Sequence, residues 1–172
     1  MNRIIARIYS TIFFEGPARG KTAAELGLAL KTNGDEFCSR LAAMRRTSRL
    51  HAVVTHCIGI ERWAQGRVRV ALGEPFVDEE YDIYRPSLEV PWNDLIALFE
   101  TTRRESIQLV QQCSGSALEK TVVHNNIGPL SVRGWFQYMQ YHSRTHLGAL
   151  SLLASQLPPS LYKLGEEEKL AS

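Results

Sequence analysis

Residues 135–146 read Trp135-Phe136-Gln137-Tyr138-Met139-Gln140-Tyr141-His142-Ser143-Arg144-Thr145-His146, and this stretch decides the fold. Trp135, Met139, His142, His146, Leu150 and Leu153 recur in steps of four, three, four, four and three, which is the period of a helix with one inward face. Ser131 stands where an N-cap belongs, and Pro158-Pro159 prevents continuation, so a helix is predicted from Ser131 to about Leu157. Both histidines fall inside the apolar stripe. Four residues apart, they differ by about 40° and ~6 Å of rise, so their imidazoles point the same way. A histidine on such a stripe is usually a hydrogen-bonded core residue. Two of them then need two separate sets of buried partners, each costly if missing. The alternative is a shared divalent ion. A third imidazole from a neighbouring helix would complete a three-nitrogen site for zinc, nickel or iron, with positions left open for water or substrate.

Outward from this helix, three more are expected. Thr22 caps one running to about Met44, although Asn33-Gly34 weakens its middle. Thr47 and Ser48 cap a second, which runs to Leu72 and stops at Gly73. After a long connection with Pro75, Pro86 and the acidic patch Asp78-Glu79-Glu80, Pro91 opens a third that ends by Gly115. One helical turn is expected around Leu118 and a chain reversal at Gly128-Pro129, with no strand-like alternation of any length. The fold class is therefore all-α: a four-helix bundle in up-down-down-up order, with an N-terminal arm (1–20), the bundle (21–157) and a short C-terminal tail (158–172). The first two bundle helices, joined by a short link, are expected to be antiparallel neighbours. On ~1.5 Å per residue, His56 of the second helix falls within a turn or two of the level of His142 and His146, so one site is permitted.

Composition narrows the partners. A net charge of +2, with 44% hydrophobic and 22% charged residues, is ordinary for a globular protein. The arginines are scattered among acids, which argues against nucleic acid. No stretch approaches the ~20 apolar residues of a membrane span, and Arg7 interrupts the apolar N-terminus, so neither a membrane partner nor a signal peptide is expected. Cys38, Cys57 and Cys113 lack paired spacing and read as reduced thiols of a cytoplasmic protein, with Cys57 structural.

Three stretches together resemble the DinB-like superfamily of bacterial four-helix-bundle metalloproteins. His56-Cys57-Ile58-Gly59-Ile60-Glu61-Arg62-Trp63 is similar to its H-x-x-x-x-E-R motif on helix two. Tyr141-His142-Ser143-Arg144-Thr145-His146-Leu147 is similar to its H-x-x-x-H. Val123-His124-Asn125-Asn126-Ile127-Gly128-Pro129-Leu130-Ser131 looks like the passage into its last helix. The resemblance spans about Gly20 to Leu157. It implies that His56, His142 and His146 are the ligands of a divalent transition metal (Zn, Ni or Fe). It further implies a place among proteins that include thiol-dependent S-transferases and isomerases, and a homodimer. The family's usual Trp-Ser pair before helix two is replaced by Arg46-Thr47-Ser48-Arg49, so the mouth of the site differs, and the arm is expected to fill space near it.

Two functional classes follow from these expectations. One is a metal-dependent enzyme acting on a small-molecule substrate with a low-molecular-weight thiol, hydrolysis being the lesser chemistry for want of a well-placed carboxylate. The other is a non-catalytic metal-binding stress-response module, with a metal-free dimeric structural module behind it. Among nearby residues, His124 reads as a surface residue, with a proton carrier at the pocket mouth as the alternative. His51 reads as structural, Tyr138 as packing, and Glu61 as either a salt-bridge partner or an orienter of a ligand.

Overall fold

The computed structural model describes residues 2–113 and 115–155. Helix α1 (Arg3–Ser10) is capped by the Asn2 side chain, which accepts from the Ile4 amide, and continues through a wide π turn at Thr11–Glu15 into a short turn at Gly16–Ala18. Then come α2 (Ala23–Ala43), α3 (Ser48–Leu72), α4 (Trp92–Gln112), a hairpin of β1 (Thr121–His124) and β2 (Gly128–Ser131), and α5 (Val132–Ser155). Of the two forms open to the arm, extended or short helical, it takes the helical one. The tail, 158–172, and the side chains of Leu150 and Leu153 lie outside the described residues.

Local chemistry accounts for the helix ends. Thr22 and Glu25 form a reciprocal capping box at the start of α2. Thr47 accepts from the Leu50 amide at the start of α3. Helix α3 stops at Gly73, whose φ of 116° suits glycine and few other residues. Pro91, with no N–H to lose, precedes α4. At α5 the Ser131 hydroxyl accepts from the Gly134 amide.

Cross-helix bonds give the directions. Phe37 stacks on Phe99 while Leu30 meets Arg103, so α2 and α4 run oppositely. His51 reaches Val90 and Gln65 reaches Ser106, so α3 and α4 run parallel. Gln140 donates to Ala29 and Ser143 to Asn33, so α5 runs with α2. The order is up-down-down-up. The expected adjacency of the first two bundle helices is corrected. Both α2 and α3 pack on α4 and α5 rather than on each other, and so stand across the bundle. Five peptide steps from Ala43 to Ser48 reach ~16 Å, enough for the diagonal of helices ~8–10 Å apart.

The expectation of no strand is also corrected. In the hairpin Val122 pairs with Leu130 and His124 with Gly128, and Val122 and His124 point inward. A buried histidine broke the apolar alternation that would have marked the strand.

Inside the bundle, two apolar clusters are separated by a polar layer. One is built on Trp63, Trp135, Phe136 and Met139, the other on Phe37, Phe99, Leu50 and Ile58. Between them, Arg103 donates to Glu61 at 2.8 Å, to Asn33 at 3.1 Å and to Ser143 at 3.2 Å. Ser106 donates to Glu61 at 2.7 Å, and Gln65 donates to Ser106 at 2.9 Å. The Asn33 side chain is spent in this layer rather than competing for its own backbone, and α2 runs unbroken through Asn33-Gly34.

Candidate metal centre

At the α3–α5 edge of the polar layer, His56, His142 and His146 converge. His142 and His146 continue the inward stripe of α5 on which Trp135 and Met139 are buried. His142 Nε2 lies 2.9 Å from His56 Nε2 and 3.2 Å from His146 Nε2. One ligating nitrogen from each ring falls within 4.8 Å of the other two, and all three rings are half-buried. Burial, reinforced by the neighbouring rings, holds His56 down to about 4 and His142 to about 3, and burial also lowers His146. All three are neutral at pH 7, the state in which a ring nitrogen offers a lone pair.

Neutral rings do not satisfy one another in this arrangement. His142 Nε2 can donate one proton or accept one, yet two Nε2 atoms crowd it. A single cation facing three lone pairs resolves the conflict. The donor set therefore fits a divalent metal, with neutral nitrogen ligands that leave the ion its full charge.

Aromatic rings surround the cluster. Tyr81 stands edge-on to His56 with centroids 4.8 Å apart, and Tyr138 lies 5.5 Å from His142. Gly59, one turn beyond His56, admits the Tyr81–Tyr84 turn: a Cβ there would lie 2.5 Å from Arg85 Cγ and 3.0 Å from the Tyr81 carbonyl. The arm adds a wall. Phe14 meets Tyr138 at 5.3 Å and Tyr141 at 5.4 Å, and Phe13 meets Tyr141 at 5.3 Å. The arm thus packs where the sequence placed it.

Residues 20–150 match the family model of the DinB superfamily. The chain belongs to the DinB superfamily. No curated protein and no solved structure matches it. The match begins after α1, so in this DinB-superfamily chain the aromatic wall of the arm comes from outside the matched region.

His51 bonds the Val90 carbonyl at 2.8 Å and is structural. Cys57 is buried and pushed up to about 12, as is Cys38, and Cys113 is also raised by burial. His124 is a correction: it is buried, not at the surface, and lies parallel to Trp135 with centroids 5.3 Å apart. Its Nδ1 accepts from the Asn126 amide, which puts the proton on Nε2. That Nε2 has no hydrogen-bond partner among the described residues, and the ring stands edge-on to Trp63 at 4.8 Å. Glu61 touches none of the three histidines; it belongs to Arg103 and Ser106. Sequence reasoning missed Arg103 itself, although a charge four residues after Phe99 on the buried stripe of α4 was a signal. A groove of about 710 Å³ between α2 and α4, lined by Cys38, Glu100 and Arg103, lies across the bundle from the histidines.

Proposed function

We propose that this protein is a divalent-metal-dependent enzyme, with His56, His142 and His146 as the ligands and a low-molecular-weight thiol as co-substrate in S-transfer to an electrophile. The convergence of three neutral Nε2 atoms carries the reading. When bound, zinc, nickel or iron in such a set supplies Lewis acidity that favours the thiolate over the thiol at neutral pH.

The chain's own residues support the rest. Its three described cysteines are buried with raised pKa values, so none is an activated nucleophile, and the reactive sulfur comes from outside. Hydrolysis is disfavoured because Glu61, the one buried carboxylate among the described residues, is committed to Arg103 and Ser106. Tyr81, Tyr138 and the arm's Phe13 and Phe14 make the surroundings aromatic, which suits an apolar electrophile and restricts water.

The test is elemental analysis of the untagged, chelator-free protein beside His56→Ala and His146→Ala, followed by thiol conjugation to a panel of electrophiles. The expected result is one transition metal per chain in the wild type, loss of it in both variants, and metal-dependent conjugation. A wild type that is empty and refuses added zinc, nickel and iron would sink the reading. A loaded protein with no conjugation activity would leave the non-catalytic metal-binding module in its place.

A further inference from the structure

Arg85 places a guanidinium beside the histidine cluster. Its stem lies on Gly59, and its Nη2 donates to the Ala52 carbonyl at 3.2 Å and to the Thr55 hydroxyl at 3.3 Å. Ala52 and Gly59 stand one turn before and one turn after His56 on the same side of α3, so the Arg85 side chain runs along the flank of that imidazole. Among the described residues Nη1 meets just Asp82, at 3.4 Å, and the two side chains are 31% and 61% exposed. A pair so open to water contributes little and is readily exchanged for another. We infer that Arg85 binds a carboxylate of the low-molecular-weight thiol, which makes the co-substrate an anionic thiol; this rests on the metal-dependent S-transfer proposed above.

The surroundings of the cluster have two unlike sides. Toward α5 and the arm stand Tyr138, Phe13 and Phe14, an aromatic seat for the electrophile. Along the flank of His56 the character is cationic. Arg49, two turns before His56 on the same face of α3, is exposed and adds a second positive charge. The nearby acids do not cancel it: Glu79 accepts from the Tyr84 hydroxyl and Glu80 from Asn125. Positive charge on that flank opposes a divalent ion at the cluster, and an anionic ligand lying between the two offsets the repulsion.

The chemistry of the group fits the assignment. A guanidinium presents its N–H donors as a planar fork that matches a carboxylate, and such charge-assisted bonds are about twice as strong as neutral ones. A thiol with its sulfur at the histidines and its carboxylate at Arg85 lies against α3. The aromatic side is then left to the electrophile. Arg85 also fastens the Tyr81–Tyr84 turn to α3, and the two roles differ in what they predict.

Titration of the cobalt-loaded full chain with mercaptopropionate and mercaptohexanoate, each beside its own primary amide, tests this through the visible spectrum without any turnover. In at least one pair the acid should bind about tenfold tighter than the amide, and the preference should shrink as salt is added. Arg85→Met should abolish the preference while leaving amide affinity and the spectrum of the thiol-free protein unchanged, and Arg85→Lys should keep part of it. Acid and amide binding alike in both pairs, or a preference that survives in Arg85→Met, overturns the inference and leaves S-transfer standing. So does an Arg85→Met chain that loses affinity for acid and amide equally, since Arg85 would then serve only to fasten the turn. A protein that takes up no cobalt, or whose cobalt spectrum answers to no thiol, overturns the S-transfer proposal and this inference with it.

Discussion

Arg103 and Glu61 have side chains only 4% and 2% exposed, and burial pushes the Glu61 carboxyl up while Arg103 and Ser106 pull it down. Breaking such a pair from one side leaves an unpaired charge in the core. Arg103→Met should therefore cost about 3–5 kcal/mol in urea unfolding, whereas the double variant Glu61→Leu/Arg103→Met should recover most of it. The histidines follow the linkage sign of any group with a depressed folded pKa: the folded state binds their protons more weakly. Their folded pKa values are depressed, near 4 for His56 and His124 and near 3 for His142. In the unfolded chain they return to ~6.5. The unfolded state thus takes up protons first. Stability of the metal-free protein should be complete above that value and fall steadily as pH drops toward 4, as denaturant midpoints across the window would show. His124→Asn should flatten the fall. His142 and His146 were legible because their spacing says two things at once, helix and shared face. Arg103 and His124 were not, because a polar residue is assigned inward only when its partners on other elements are known, and Asn33, Ser143 and Trp63 are remote in sequence.

Among the elements, the helix ends were legible wherever the signal is local: the Thr22–Glu25 box, Thr47, Gly73 and Pro91 each act within one turn. The hairpin was not. Its strands have four residues each, and their inward positions include a histidine. Nor was the diagonal placement of α2 and α3, since loop length limits reach without choosing a neighbour. Gly59 shows what an element boundary does for the candidate site. Gly59→Ala places a methyl against backbone and the Arg85 stem, so the Tyr81–Tyr84 turn must back away from α3. The expected cost is about 1–3 kcal/mol in unfolding. It should come with altered visible absorption of the cobalt-loaded protein as Tyr81 leaves His56. A change in stability with an unchanged cobalt spectrum would mean that Tyr81 does not shape the site.

For the whole molecule, the question is whether the bundle would depend on a metal bound at the histidine cluster. The two apolar clusters and the polar layer between them draw no side chain from the histidine cluster, and no helix among the described residues is long and apolar enough to cross a membrane. Chelation should leave a cooperatively melting helical protein whose melting temperature falls modestly, by the binding term alone. Collapse of the helical signal on chelation would instead favour a metal whose task is structural. Phe14→Ala is the complementary probe. It removes a ring 1% exposed, at about 3–5 kcal/mol, and opens the wall beside Tyr138. The aromatic stack behind the histidines also makes the protein its own optical instrument. Trp63 and Trp135 lie 5.3 Å apart, both pressed on His124, and Tyr138 links that group to His142. Emission from this pair should respond to events at the cluster without any dye: dimming when a paramagnetic ion such as nickel is added, holding steady with zinc, and dimming again in acid as His124 gains its proton and quenches the indoles beside it.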